Sequence, residues 1–185
     1  TVQLQSRLEK VRVRLGERQR FGVAMENLAG TVFTQGNSAK LLTTGQETFE
    51  ELFAAIDEAR SYILLEFYIV NDDEIGRELQ QRLIKRQQDG IQVYFLYDSI
   101  GSYRLGHDYL DALRDAGVKV DGFGSVHLIR NRFQLNFRNH RKIFVVDGRI
   151  GFSGGYNVSN EYLGKTEKFG EWRDTHLRLT GPSVL

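Results

Sequence analysis

The stretch that decides the fold is Asn139-His-Arg-Lys-Ile-Phe-Val-Val-Asp-Gly-Arg-Ile-Gly-Phe-Ser-Gly-Gly-Tyr-Asn157. It has the form His-x-Lys-x4-Asp-x6-Gly-Gly-x-Asn, beginning at His140. Residues Lys142 to Val146 are mostly apolar and β-branched, which predicts a strand. Asp147 and Gly148 form a dipeptide typical of a two-residue hairpin turn, so a second strand should follow directly.

The residue types in this stretch suit attack on a phosphodiester. Side chains alternate along a strand, so His140 and Lys142 should point the same way. An imidazole can form a covalent phospho-intermediate, and an ammonium stabilises charge on the group being transferred. Gly154 and Gly155 lack side chains, so a phosphate can approach their backbone closely. Asn157 can donate two further hydrogen bonds.

The combined spacing resembles the signature of the phospholipase D superfamily, often called the HKD motif. Simpler interpretations are weaker, because a lone His-x-Lys on a strand is usually solvated surface and a lone Asp-Gly is usually only a turn. Asp147 has the opposite strand parity to His140 and Lys142. We therefore expect Asp147 to be mainly architectural, although the family signature includes it among the catalytic residues.

Composition bounds the class of protein. The chain has 185 residues, 41% hydrophobic and 26% charged, which is ordinary for one globular domain with a sizeable core. The net charge of +1 argues against a general polyelectrolyte binder, and the absence of cysteine excludes disulfides and thiolate metal sites. No apolar run approaches the roughly 20 residues that span a bilayer. We expect a membrane anchor outside this sequence, because both ends look cut from a longer protein.

Periodicity predicts alternating strands and helices. Residues 1–39 should be a lead-in, in which 1–20 is either an amphipathic helix or a solvated leader and 21–39 is irregular. Residues 40–185 should form the domain that carries the motif. Its predicted elements are strands at 40–44, 61–70, 91–97, 118–123 and 175–180, helices at 47–60, 73–88, 108–116 and 159–163, and the hairpin around Asp147.

This alternation predicts an α/β fold with a mixed central sheet. The resemblance implies a phospholipase D-like α/β/α sandwich. Ligand sites in such sheets lie beyond the carboxyl ends of strands, so the loop Asp98-Ser-Ile-Gly-Ser102 is a candidate part of the rim. Asp98 could equally be a helix or turn cap.

A basic cluster leads into the motif. It comprises Arg130, Arg132, Arg138, Arg141 and Lys142. Arginine favours bidentate phosphate contacts, so we expect Arg138 to bind substrate, the alternative being a generic basic surface. Phe133, Leu135 and Phe137 interleave with this charge, either as core residues or as an apolar lip, and such mixtures also suit single-stranded nucleic acid.

Carboxylates near the motif are candidate partners for its cations. A carboxylate that accepts the imidazole N–H fixes the tautomer, and the resemblance assigns this role to Asp174, with Glu171 as the alternative. Glu66 interrupts an apolar strand and needs a partner, so it either pairs with an arginine or a lysine at the site or belongs to a structural buried pair. His127 and His176 should be structural. Because the histidines lack a metal-binding spacing, no metal is expected.

The resemblance extends beyond the motif. The stretches Leu65–Gly76, Tyr97–Ser102, Asn139–Lys142 and Trp172–Asp174 together look like the first catalytic half of a bacterial cardiolipin synthase. That family implies a membrane-attached enzyme of the bacterial inner membrane, which joins two phosphatidylglycerols into cardiolipin and glycerol without a cofactor. Such enzymes carry two HKD motifs that meet at one site, with the second histidine as general acid and base.

This chain departs from that pattern in two respects. It contains one motif, so its partner should be a second half of the same polypeptide or a second copy. The usual Gly-Ser pair is Gly154-Gly155 here, which costs one hydroxyl donor. The alternatives are a single-motif homodimeric phospholipase or nuclease, and a non-catalytic module that binds anionic lipid. The low net charge disfavours nucleic acid as a partner, and the intact His140, Lys142 and Asn157 disfavour a non-catalytic module.

Overall fold

The fold is built on one mixed sheet of seven strands, seen in a computed structural model that describes residues 2–14, 20–124, 138–165, 170 and 172–185. The strands are β1 (Ser38–Leu42), β2 (Tyr62–Phe67), β3 (Gln92–Asp98), β4 (Lys119–Phe123), β5 (Ile143–Val146), β6 (Ile150–Gly154) and β7 (His176–Thr180). Their order is β1-β7-β6-β5-β2-β3-β4. The pairs β2–β3 and β3–β4 are parallel, and the other neighbours are antiparallel.

Five α-helices and two short 3₁₀ helices accompany the sheet in the described part of the chain. The α-helices are α1 (Val2–Val11), α2 (Arg20–Ala29), α3 (Gly45–Asp57), α4 (Glu74–Gln88) and α5 (His107–Asp115), and the 3₁₀ helices are Asn160–Leu163 and Pro182–Val184. Side chains cap the starts of α3 and α4, where Thr44 accepts from Glu47 N and Asp73 accepts from Gly76 N. The predicted α/β fold with a mixed sheet is confirmed.

Helices α3, α4 and α5 share one face of the sheet. Helices α4 and α5 are the crossovers between parallel strands that advance in one direction, and right-handed crossovers place both on the same side. Helix α3 packs beside α4. The strand residues on this face are buried, as at Ile63, Leu65 and Phe67 of β2. The alternate residues Leu41, Leu64, Ile143 and Leu177 lie on the other face and are 38% to 56% exposed.

The β5–β6 hairpin turns as the Asp-Gly dipeptide predicts. Asp147 and Gly148 have φ of 53° and 60°, and Arg149 N donates to Val146 O at 2.9 Å. Positive φ at both central residues is the type I′ geometry, which matches the twist of the flanking strands. The turn therefore fixes the register between β5 and β6, and the start of β5 lies at the end of the sheet opposite to the turn.

Two sequence predictions need correction. Residues 21–39 were expected to be irregular, yet Arg20–Ala29 is helical. Its Phe21 and Leu28 are about 80% exposed, so the spacing of its apolar residues is not tied to burial. The strand predicted for 61–70 ends at Phe67, because polar side chains take the next amides. The helical alternative for the first residues is confirmed by α1.

Candidate active site

The motif lies at one edge of the sheet. Strands β2, β3 and β6 end at this edge, and β5 and β7 begin there. The segment that carries His140 precedes β5 directly, and Asp174 precedes β7. Residues from distant parts of the sequence therefore meet at the carboxyl end of the parallel strands, where ligand sites in such sheets are found.

The imidazole of His140 stacks on the ring of Tyr68. The ring centroids are 4.0 Å apart and the planes are inclined by 19°. His140 is exposed, so one face of its ring meets the tyrosine while the side chain stays accessible to solvent. A stacked, accessible imidazole has a defined orientation and can still meet a substrate from solution.

The ammonium of Lys142 contacts the same ring. Its Nζ lies 5.4 Å from the Tyr68 centroid and donates to the carbonyl oxygen of His140 at 2.9 Å. Burial lowers the pKa of Lys142, while the charge of Asp174 acts in the opposite direction. The sequence predicted that His140 and Lys142 face the same way, and both do contact Tyr68.

Tyr68 was missed by the sequence interpretation, which treated it as one more apolar residue of a buried strand. The chain leaves the sheet after Phe67, and Asn157 Oδ1 accepts from Ile69 N at 3.1 Å. Ser102 Oγ accepts from Val70 N at 3.0 Å. These bonds replace the sheet ladder and direct the backbone at Tyr68 toward the motif.

Asn157 is committed to this scaffold. It is only 4% exposed, and its Nδ2 donates to Tyr162 Oη at 2.6 Å while its Oδ1 holds the Ile69 amide. The sequence suggested that both amide hydrogens were free for a phosphate. The geometry leaves one hydrogen of Nδ2 beyond the bond to Tyr162.

Packing requires small residues at Gly154 and Gly155. A Cβ on Gly154 would lie 2.5 Å from His176 Cα, and a Cβ on Gly155 would lie 2.0 Å from Asp174 Oδ1. The sequence suggested that these glycines serve phosphate approach. The structure adds a second reason, which is the close passage of β6 beside Asp174 and His176.

Asp174 is fixed by its own loop. Its Oδ1 accepts from Thr175 N at 2.6 Å, and its backbone N donates to Tyr156 Oη at 3.0 Å. Within the described ranges, no hydrogen bond joins Asp174 to the His140 ring. Its charge instead acts on Lys142 and on His176, raising the pKa of each against the effect of burial.

His176 is the buried histidine of the site. It is 2% exposed, and its Nδ1 has no hydrogen-bond partner among the described residues. Burial lowers its pKa to about 4, with a smaller contribution from the charge of Lys142. At neutral pH this imidazole is therefore uncharged, which fits the structural role that the sequence suggested.

Asn139 ties the motif to the ends of β2 and β3. Its backbone N donates to Asp98 Oδ2 at 3.0 Å, and its Nδ2 donates to Glu66. The sequence left two alternatives for Glu66, a cationic partner at the site or a structural buried pair, and the structure has the side-chain amide of Asn139 as its partner. Asp98 also accepts from Ile100 N and Gly101 N, so its role as a turn cap is confirmed.

Arg138 lies beside the stacked rings of Tyr68 and His140, with its Nη1 3.3 Å from Tyr68 Oη.

A shallow cleft of about 460 Å³ is lined by Phe123, Arg138, Asn139, His140 and Arg141. A larger cavity of about 950 Å³ lies at the other sheet edge, around Asp147. The smaller cleft is the candidate site, because the imidazole of His140 and the guanidinium groups of Arg138 and Arg141 line it. The other predicted residues, Arg130, Arg132, Phe133, Leu135, Phe137, His127 and Glu171, lie outside the described residues.

Within the described ranges, no helix is both long and apolar enough to cross a bilayer. The candidate site offers an oriented imidazole and a guanidinium at an open cleft, with the Lys142 ammonium bonded to the backbone carbonyl of His140. That combination can attack a phosphodiester and hold the charge of its oxygens.

Comparison with known proteins gives a consistent picture. The family described as "Cardiolipin synthase, PLD-like domain" matches residues 52–169. Cardiolipin synthase A of Pseudomonas putida (strain GB-1) is 48% identical over 159 residues, which cover 86% of this chain and 33% of that protein. The chain thus spans about a third of the length of the curated relatives it matches.

Solved structures share the fold at low sequence identity. Phosphatidylserine synthase of Haemophilus influenzae matches with a TM-score of 0.63 and 16% identity, covering 99% of this chain and 38% of that one. NucT of Helicobacter pylori matches with a TM-score of 0.60 and 16% identity, covering 80% and 88%. The phospholipase D-like α/β fold expected from the sequence is confirmed by these structures.

Proposed function

Because the chain belongs to the family of cardiolipin synthase PLD-like domains, we propose that it supplies one half of the active site of a phosphatidyltransferase. The observation that carries the proposal is the placement of His140 and Lys142 around one aromatic ring at the open sheet edge. The name of the matched relatives, cardiolipin synthase A, supports cardiolipin as the product. Phosphatidylglycerol is the substrate that the sequence resemblance implies.

The proposed first step forms a covalent intermediate. A neutral ring nitrogen of His140 attacks phosphorus, the new N–P bond forms, and the P–O bond to the leaving glycerol breaks. The imidazole ring becomes positively charged, and the leaving oxygen takes a proton from a general acid. Lys142 and Arg138 stabilise the negative phosphoryl oxygens. In the second step the hydroxyl of another phosphatidylglycerol attacks phosphorus and gives its proton to the conjugate base of that general acid. The N–P bond breaks, which releases His140.

The general acid has to come from outside this chain's motif. In-line displacement places the nucleophile and the leaving oxygen on opposite sides of phosphorus. His176 does not serve, because it is buried and its lowered pKa of about 4 keeps it neutral. His107 begins α5 and is exposed, and among the described residues no hydrogen bond or ring contact joins it to the motif. We therefore assign the acid to an imidazolium of a second HKD half, in the same polypeptide or in a second copy.

Location at a membrane surface is part of the proposal. The substrate is an anionic phospholipid of the bacterial inner membrane, so the site has to meet lipid headgroups. Residues 1–39 are proposed as a lead-in between a membrane anchor and the domain 40–185. Contacts within that segment hold its two helices together, since Arg12 pairs with Glu26 at 2.6 Å and Val13 N donates to Phe33 O at 2.8 Å. Its last residues, Ser38 and Ala39, already belong to β1 and pair with β7 of the domain.

The test uses a longer protein that contains this chain and a second HKD half. Labelled phosphatidylglycerol vesicles are converted to cardiolipin and glycerol, and the protein is quenched in alkali to trap phosphohistidine. We expect His140→Ala to abolish both signals, whereas the exposed His107→Ala leaves them unchanged. Turnover by the His140→Ala protein would refute His140 as the nucleophile.

The isolated 185-residue chain provides a second arm. We expect it to show little or no transfer, because the acid is missing. Weak hydrolysis that scales with a dimer population would indicate that two copies can face one another. Cardiolipin synthesis by a strict monomer would refute the two-half arrangement.

A further inference from the structure

Tyr68 contacts three polar side chains in and beside the motif. It stacks on His140 at 4.0 Å, lies 5.4 Å from Lys142 Nζ and accepts a contact from Arg138 through its hydroxyl at 3.3 Å. All three side chains are those to which the proposed function gives a role. One tyrosine side chain thus contacts the imidazole of His140, the ammonium of Lys142 and the guanidinium of Arg138.

The position of Tyr68 is itself enforced. A Cβ on Gly101 would lie 2.2 Å from Tyr68 O and 2.8 Å from its Cε2, so the loop after β3 packs against the tyrosine without a gap. The amides of the two following residues are held by Asn157 and Ser102. The ring therefore has little freedom to leave the imidazole.

We propose that Tyr68 is the positioning residue for the nucleophile, holding the His140 ring in its attacking orientation and stabilising the charge that the ring gains on phosphorylation. This inference rests on the proposed function of His140. The π face of a tyrosine attracts a cation placed over it, and the imidazole gains a positive charge when its lone pair forms the bond to phosphorus. The interaction is thus stronger in the intermediate than in the ground state, which is the condition for speeding the step.

The stacking also explains how the orientation is kept without a carboxylate. Within the described residues Asp174 makes no hydrogen bond to the His140 ring, so the ring is held by its face rather than by its N–H. Among the described residues both ring nitrogens are open at the rim of the ring, where one can attack and the other can donate to a partner. A face contact is the arrangement that leaves both edges available.

The experiment separates the ring from the hydroxyl. Tyr68→Phe keeps the aromatic face and loses the contact with Arg138, whereas Tyr68→Leu keeps apolar bulk and loses the face. Tyr103→Leu is the matched control, because Tyr103 is 72% exposed and lies outside the motif. Thermal unfolding of each variant shows whether the fold is intact.

The first readout needs no activity. In the NMR spectrum of this chain, which has four histidines, the His140 ring protons should carry an upfield ring-current shift. Tyr68→Leu should remove the shift, and Tyr68→Phe and Tyr103→Leu should keep it. An unchanged shift in a folded Tyr68→Leu chain would overturn the proposed orientation.

The second readout uses the longer protein with its second half. Tyr68→Leu should lower the rate of phosphohistidine formation roughly 3- to 30-fold, with little change in KM, and Tyr68→Phe should restore most of it. Equal loss in both variants would assign the effect to the hydroxyl and overturn the stabilising role of the ring. If wild-type protein formed no phosphohistidine while the ring-current pattern held, the proposed function would fail and the orientation by Tyr68 would stand.

Discussion

Asp147 and Tyr62, 85 residues apart in the sequence, hold each other by a reciprocal pair of hydrogen bonds. Tyr62 N donates to Asp147 Oδ1 at 2.9 Å, and Asp147 N donates to Tyr62 O at 3.1 Å. The carboxylate also accepts from Arg60 N and Ser61 N, each at 2.8 Å. Asp147 of the motif thus bonds the β5–β6 turn to the start of β2, at the end of these strands opposite to His140.

Replacing Asp147 should reduce stability before it affects chemistry. Asp147→Ala removes three acceptor contacts and should cost about 2–4 kcal/mol in the free energy of unfolding. Asp147→Asn tolerates the positive φ of 53° and should lose less, about 1–2 kcal/mol. Urea unfolding measures both. A full loss of transfer in Asp147→Asn with unchanged stability would contradict the architectural role.

His176 should make stability depend on pH in mildly acidic solution. The pKa of His176 is about 4 in the folded chain, and the unfolded chain should keep the ordinary value of 6.5. Between pH 4 and pH 6.5 the unfolded chain therefore binds a proton at His176 that the folded chain does not. Its stabilising contribution is present above pH 6.5 and is lost as pH falls to about 4, on the order of 3 kcal/mol in total. His176→Asn should flatten this part of the stability curve, measured by urea unfolding at several pH values. The exposed His107→Asn is the control, and an equal slope in wild type and His176→Asn would reject the assignment.

Removing the charge of Asp174 should shift the alkaline limb of the pH–rate profile. The carboxylate opposes the burial that lowers the pKa of Lys142, so Asp174→Asn should lower that pKa further. In the proposed mechanism a protonated Lys142 stabilises the phosphoryl oxygens, so activity should decline at a lower pH than in wild type. Steady-state rates of the longer protein across pH provide the measurement. A profile and rate identical to wild type would exclude Asp174 from the site's electrostatics.

Gly101→Ala should disturb the site from behind. The new methyl group would lie 2.2 Å from Tyr68 O, and relief of that overlap should cost about 1–3 kcal/mol of stability. The displaced tyrosine should also weaken the stacking on His140. Gly106→Ala is the matched control, because nothing lies within 4 Å of its added Cβ. Thermal unfolding of the two variants should separate them clearly, and equal midpoints would contradict the close packing.

Much of this architecture was open to prediction because it rests on local patterns. The Asp147-Gly148 turn, the β-branched run before it and the amphipathic helices α3 and α4 are each encoded within a few neighbouring residues. The helix Arg20–Ala29 escaped because its apolar residues are exposed, so no core selects their spacing.

Tyr68 escaped for a different reason. Its stacking on His140 depends on the end of β2 at Phe67, on Gly101 and on the bond from the Ile69 amide to Asn157. Gly101 and Asn157 are distant from Tyr68 in the sequence. Sequence spacing alone cannot show which aromatic residue meets the motif. The same holds for Asn139, whose partners Asp98 and Glu66 are brought together only by the parallel pairing of β2 and β3.

The antiparallel pairing of β2 with β5 sets the distance between Tyr68 and His140. Its last aligned residues are Glu66 and Ile143, so Tyr68 and His140 each lie only two or three positions beyond the ladder. A slip of one residue would displace one strand by about 3.3 Å and exchange its faces. That displacement is comparable with the 4.0 Å between the two rings. The relative position of the two stacked rings thus depends on the sheet, and a variant that shifts this ladder would separate Tyr68 from His140 without changing either residue.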